Sequence, residues 1–262
     1  APLTQAETVA SITFSNSVAK ADDVSPNILI NQQAVQNPQQ DTNWKNVPTQ
    51  FINAGGINFA YREYGQENRG TPVIFLNHLA AVLDNWDPRI VDGIAAKHHV
   101  VIFDNRGVGA STGEPAKSIE QMADDAITFI QAKGFKQVDL FGFSMGGMIS
   151  QEIVLKQPKL IRKMILSGTG PAGGTGISTV GRVSNWDLVR GMATRQDPKV
   201  YLFFTRTENG KAAAKEFVQR INERTENRDK EITLSEDTVF YRGGQNGTDL
   251  GRFFSYEKPQ GI

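Results

Sequence analysis

Val138-Asp139-Leu140-Phe141-Gly142-Phe143-Ser144-Met145-Gly146-Gly147-Met148-Ile149 decides the fold. Val138 to Phe143 is a short apolar run of the kind a buried strand carries. Met148, Ile149, Ile153 and Val154 recur at helical spacing, and Pro158 closes the pattern. Between strand and helix stands Ser144, with Gly142 two residues before it and Gly146 and Gly147 close behind. So tight a turn brings the two backbones together, which small neighbours permit. It lifts the hydroxyl above the carboxyl end of the strand. The helix adds its unpaired N–H groups and the positive end of its dipole. Ser144 is therefore the candidate nucleophile, and the Met145 N–H a candidate oxyanion donor. The plainer alternative is a Gly-rich turn with an idle serine; the strand before it and the helix after it favour the nucleophile.

Working outward, Phe51 to Tyr64 with Gly55-Gly56 between two apolar stretches predicts a β-hairpin. Pro72 to Asn77, His99 to Phe103 and Ile161 to Leu166 predict three more buried strands. Asp87-Pro88 opens a helix as N-cap and first helical residue, with Ile90, Val91, Ile94 and Ala95 on its apolar face. Ser118-Ile-Glu-Gln121 is a capping box for a helix carrying Met122, Ala126, Ile127 and Ile130 and stopped by Gly134. Strands alternating with helices over residues 72–168 imply an α/β fold with a doubly wound, mostly parallel sheet. After the Gly-rich loop Gly168–Gly176, residues 180–230 are helical and amphipathic, with Ala214, Phe217, Val218 and Ile221 as a stripe. Residues 235–262 are polar and Gly-rich; Asn246-Gly-Thr248 is a glycosylation sequon if the protein is secreted.

Three further groups bear on chemistry. Asn77-His78-Leu79-Ala80 follows its strand directly, so its loop faces Ser144 and is expected to supply a second oxyanion N–H, from Leu79 first and Ala80 next. His78 is expected to pack and hydrogen-bond within this loop; the alternative is an unusual catalytic base. Asp104-Asn-Arg-Gly-Val-Gly-Ala-Ser111 lacks the Lys-Ser/Thr ending of a phosphate loop and the spacing of a dinucleotide turn. It is expected to be a structural turn in which Arg106 braces neighbouring loops. His98 and His99 precede their strand at the opposite end of the sheet, without ligand spacing for a metal.

The 262 residues suit one larger α/β domain with an appended lid. Lys+Arg and Asp+Glu balance at 28 each, which gives no electrostatic footprint for nucleic acid or an anionic membrane. No apolar run approaches the ~18 residues of a membrane span. The absence of cysteine excludes disulfides, thiolate metal sites and a thiol nucleophile. Residues 1–46 are expected to be a polar arm. Val18-Ala19-Lys20-Ala21 vaguely resembles a signal-peptidase site, but no basic segment and only a poor apolar stretch precede it. The expected location is cytoplasmic, with secretion left open.

Asn77-His78 with Trp86 downstream, Asp104-Asn-Arg-Gly-Val-Gly-Ala-Ser111 and Gly-Phe-Ser144-Met-Gly-Gly147 together resemble the α/β-hydrolase superfamily. The nearest likeness is to bacterial serine esterases and the non-haem haloperoxidase-like group, over about residues 50–170. The resemblance implies a core over residues 47–176, a helical lid over 177–234 and an atypical tail over 235–262. It implies no cofactor and no metal, and a small ester or other acyl substrate held on Ser144 as an acyl-enzyme. It also implies an acid and a histidine in later strands. No histidine follows His99, and no two convincing strands follow the lid. The fold is accordingly expected to be C-terminally incomplete, with an exposed sheet edge that favours homo-oligomers. The missing base is then explained by truncation, by a partner chain or by His78. The competing function is a hydrolase-like binding protein without turnover.

Overall fold

Gly55 and Gly56 both take positive φ (59° and 81°), closing a two-residue turn between β1 (Gln50–Ala54) and β2 (Ile57–Tyr64), which pair antiparallel. This computed structural model describes residues 43–171, 174, 177, 187, 190–191 and 193–230. β2 lies antiparallel against β4 (Val100–Phe103). β3 (Val73–Leu76) lies parallel between β4 and β5 (Val138–Phe143), and β6 (Ile161–Ser167) runs parallel beside β5. The order is β1-β2-β4-β3-β5-β6. From β3 the chain goes first to one side, to β4, and then crosses back to β5. This reversal opens a crevice outside the carboxyl ends of these strands, where α/β proteins place their ligands.

β3, β4 and most of β5 are buried because both sheet faces are covered there, whereas β6, expected to be a buried strand, is only partly buried, with Arg162 and Lys163 exposed. Ile74 and Leu76 point into a cluster with Met122, Phe129, Ile130 and Ile149. Val73 and Phe75 point into the opposite one, with Leu83, Trp86, Val91 and Ile102. The first face is covered by α2 (Ile119–Ala132) and α3 (Met145–Lys156), the second by α1 (Pro88–Ala95).

Local signals operate with two departures. Asp87 caps α1 through the Arg89 N–H, and Val91 and Ala95 are buried, but Ile90 is exposed: two turns of helix cover a narrower stripe than four apolar residues suggest. Ser118 accepts from the Gln121 N–H, whereas the Gln121 side chain accepts from Lys117 rather than from the Ser118 amide. Gly134 ends α2 at φ 77°.

Beyond β6, α4 (Lys199–Phe203) precedes α5 (Glu208–Ile221), which Thr207 caps through the Gly210 N–H. Ala214 and Ile221 are buried, and Phe217 and Val218 partly so. Among the described residues no strand follows β6, and no helix is long and apolar enough to cross a membrane. The signal-like Val18–Ala21, the sequon at Asn246, the tail and parts of the Gly-rich loop and the expected lid lie outside the described residues. The packed core starts earlier than expected. Trp44, within the stretch expected to be a polar arm, is fully buried, its N–H held by Asp92 and its carbonyl by Arg224.

Candidate active site

Ser144 stands between β5 and α3 at φ 53°, ψ −115°, a backbone conformation costly for a residue with a Cβ. Its side chain makes no capping bond to its own helix, and the residue is partly exposed. Three glycines allow this turn. A Cβ on Gly146 would lie 1.9 Å from the Leu76 carbonyl oxygen, and one on Gly142 2.5 Å from the Gly146 oxygen. One on Gly147 would meet the Thr169 side chain at 2.4 Å. The start of α3 thus rests directly on the end of β3. The Ser144 N–H is tied to the Ser167 carbonyl of β6 at 2.9 Å.

The loop after β3 is held just as closely. Asn77 accepts from Trp86 Nε1 at 2.5 Å and donates to the Phe103 carbonyl at 3.3 Å, which fixes the end of β3 to β4. His78 Nδ1 is 2.7 Å from the Leu79 carbonyl, an acceptor only, so Nδ1 is the protonated nitrogen. Nε2 is buried and has no partner among the described residues. The His78 ring packs edge-on against Phe143 and Phe203, at centroid distances of 5.4 and 5.0 Å. Burial pushes the His78 pKa down to about 4, against the smaller upward pull of the Leu79 carbonyl, so the ring is neutral at pH 7. Ala80 then takes φ 57°.

These positions sit at the carboxyl ends of neighbouring parallel strands, and the family model for the alpha/beta hydrolase fold matches residues 71–231. The chain belongs to this family. An alpha/beta hydrolase fold protein from Chitinophaga pinensis superposes with a TM-score of 0.71 at 31% identity, covering 84% of this chain and 76% of that one. Two curated relatives carry provisional names. BpoC of Mycobacterium tuberculosis, named a non-heme bromoperoxidase, is 31% identical over 114 residues, 43% of this chain and 42% of that protein. RutD of Azorhizobium caulinodans, named a carbamate hydrolase, is 29% identical over 126 residues, 47% of this chain and 46% of that protein. The matched region thus spans less than half the length of either.

In this α/β-hydrolase chain the structure brings Ser144, Met145 and the His78–Leu79 loop to one edge of the sheet, but it does not join His78 to Ser144. With Nδ1 engaged by Leu79 and Nε2 unpartnered, no hydrogen bond runs from the imidazole to the serine hydroxyl. Asp104–Ser111 is the structural turn expected. Ser111 Oγ donates to the Asp104 carbonyl and accepts from the Ala60 N–H, both at 2.9 Å. Arg106, expected to brace loops, pairs instead with Asp125 on α2. His99 pairs with Glu63 at 3.1 Å, beside Lys133. Burial would raise the Glu63 pKa, but the hydrogen bonds from His99 and Lys133 outweigh it and hold the carboxyl below its ordinary value. Among the described residues no three carboxylate or histidine groups converge as a metal site.

Sequence reasoning missed a buried polar system below this edge. Fully buried Arg62 on β2 donates to fully buried Asp84 at 2.5 Å. Arg224 and Arg228 approach the same carboxyl at 3.8 and 3.9 Å. The one available signal was Arg62-Glu63 inside an otherwise apolar strand, because an unpaired charge cannot be buried there cheaply.

Proposed function

We propose that the chain is a serine hydrolase acting on small carboxylic esters or related acyl substrates through an acyl-enzyme on Ser144. The observation that carries this is the conformation of Ser144: a strained, partly exposed residue at a helix N-terminus, held there by three close-packed glycines. Strain at such a position is kept where it aims a reacting group. Ser144 Oγ attacks the acyl carbon, and the carbonyl oxygen takes up the negative charge. The N–H groups of Met145 and Leu79 then donate to that oxyanion, where charge-assisted bonds are strongest. The alcohol leaves with a proton, and water releases the acid in a second, mirrored step. Residues 177–234 act as the lid that shapes the acyl pocket, with Phe203 of α4 packed on Phe143 beside Ser144. No cofactor or metal enters this scheme.

The serine needs a base to be nucleophilic. Among the described residues none is hydrogen-bonded to its hydroxyl, and His78, neutral and facing Phe143 and Phe203, shapes the loop instead. This favours one second reading: a hydrolase-like binding protein without turnover. A fluorophosphonate probe separates the two. Stoichiometric labelling lost in Ser144→Ala supports the hydrolase; no labelling of folded protein eliminates it.

A further inference from the structure

Two carboxyls outside the Ser144 site converge on one backbone amide, and among the described residues neither is in an ion pair. Asp104 directly follows β4, and Asp229 lies eight residues past α5. Both are buried. Asp104 Oδ2 and Asp229 Oδ2 flank the Gly109 backbone, at 2.4 and 2.6 Å from where a Cβ on Gly109 would stand. They also converge on one donor: the Leu83 N–H is 3.0 Å from Asp104 Oδ1 and 3.3 Å from Asp229 Oδ2. Asp104 Oδ2 is buried and receives no hydrogen bond from any described group. The guanidiniums nearby turn elsewhere: Arg62, Arg224 and Arg228 all reach Asp84. None of the ion pairs among the described residues involves Asp104 or Asp229.

Two buried carboxylates converging on one amide repel each other when both are ionised; one proton between them turns the repulsion into a hydrogen bond. We propose that Asp104 and Asp229 share one proton and so form a latch that holds the segment after α5 against the loop following β3. Asp229 also gives its backbone N–H to Asp84 at 2.7 Å, and Asp84 follows Leu83 in that loop. The latch therefore clasps the stretch that continues from His78 and Leu79. Losing the proton sets two buried anions against each other and loosens it.

The groups facing the pair can be set out by element. β2 brings Arg62, and the loop after β3 brings Asp84 and the Leu83 amide. β4 and its turn bring Asp104 itself and the Ala110 amide. The segment after α5 brings Arg224, Arg228, Asp229 itself and Lys230, whose N–H donates to Asp229 Oδ1 at 2.8 Å. Burial first, and then the neighbouring Asp229, hold the Asp104 proton on to a pH well above the ordinary carboxylate range, against the smaller opposing pull of the Ala110 and Leu83 amides. The folded protein thus binds a proton that the unfolded chain has released. The stabilisation is complete at acid pH and is lost as pH rises from the ordinary carboxylate range through the raised value.

The test is thermal unfolding of the full chain from pH 5 to 9, comparing wild type with Asp104→Asn. The amide keeps a donor toward Asp229 and cannot ionise. The variant's melting temperature is expected to gain on that of wild type steadily as pH rises. A gap that stays constant with pH overturns the proposal. Should the variant fail to fold, carboxyl carbon NMR of Asp-labelled wild type decides. One aspartate titrating well above the others supports a shared proton, and all of them titrating in the ordinary range refutes it.

Discussion

Gly146→Ala tests the packing that makes the Ser144 turn. The added methyl would stand 1.9 Å from the Leu76 carbonyl oxygen and 2.5 Å from its carbon. Ordinary contacts begin near 3.5 Å, so the overlap is roughly 1.5 Å. Both partners are backbone, one in a central strand and the other in the first turn of α3, so no side chain can rotate away. Overpacking costs about 1–3 kcal/mol where side chains can give. Here the upper end, about 3 kcal/mol, is the expected loss, or about 6–12 °C in melting temperature for a domain of this size. Two glycines serve as controls. Gly134 has open space but φ 77°, so alanine there costs backbone strain alone, about 1–2 kcal/mol. Gly93 lies inside α1 with open space and no positive φ, so alanine is expected to stabilise by about 0.5–1 kcal/mol. Circular dichroism melts of the three variants give the ranking. Gly146→Ala melting at the wild-type temperature would refute the close approach of β3 and α3. The same variant is expected to slow fluorophosphonate labelling, since a displacement of about 1 Å at a reacting group can cost 10²-fold.

Three more outcomes follow from the same geometry. Ser144→Gly removes the strain at φ 53° and is expected to raise stability by about 1 kcal/mol while abolishing labelling; calorimetry giving a lower melting temperature would count against a strained elbow. His78→Phe replaces a ring whose pKa falls from 6.5 to about 4 on folding. The wild type therefore loses about 3 kcal/mol as pH drops from 6.5 to 4, because the unfolded chain takes the proton first, and the variant does not. Melting curves across that range measure the difference, and parallel acid limbs would place His78 in contact with water. Ser144 labelling is expected to survive this substitution, whereas a loss near 10⁶-fold would make His78 the base after all. Asp84→Ala strands fully buried Arg62 together with Arg224 and is expected to cost about 3–5 kcal/mol, readable by urea unfolding.

The strands and the Ser144 turn were legible because their causes are local. A strand covered on both faces is apolar throughout, and a serine between such a strand and a helix, flanked by glycines, has few other structural uses. The Asp87 and Ser118 caps were legible for the same reason. What the sequence hid depends on partners far along the chain. Trp44 stands in a polar stretch, and the Arg224 that holds its carbonyl comes 180 residues later. Asp104 read as part of a turn, which it is, but its meeting with Asp229 is a tertiary event that no spacing announces. Ile90 shows the opposite error, where periodicity promised more burial than eight residues of helix could deliver. The sequence puts His78 in the loop after its strand, and only the structure shows its protonated nitrogen turned to Leu79.

The elbow and the base are separate matters in this chain. Ser144 is held by Gly142, Gly146 and Gly147 packing on Ser150, Leu76 and Thr169, and by its N–H on Ser167. None of these contacts involves a proton acceptor for the hydroxyl. Among the described residues the strained conformation is therefore maintained by β3, β5, α3, β6 and the Thr169 that follows it, independently of a base. The loop after β3 is held separately: Asn77 bonds Trp86 and the Phe103 carbonyl, and His78 bonds the Leu79 carbonyl. In the proposed mechanism a site without its base would keep about 10³–10⁴ over water, and an activating base would add about 10⁶. Labelling of Ser144 therefore measures the presence of a base, while the stability of Ser144→Gly measures the elbow. The two readouts vary independently, and a chain that scores on the second and not on the first is a hydrolase scaffold without its proton acceptor.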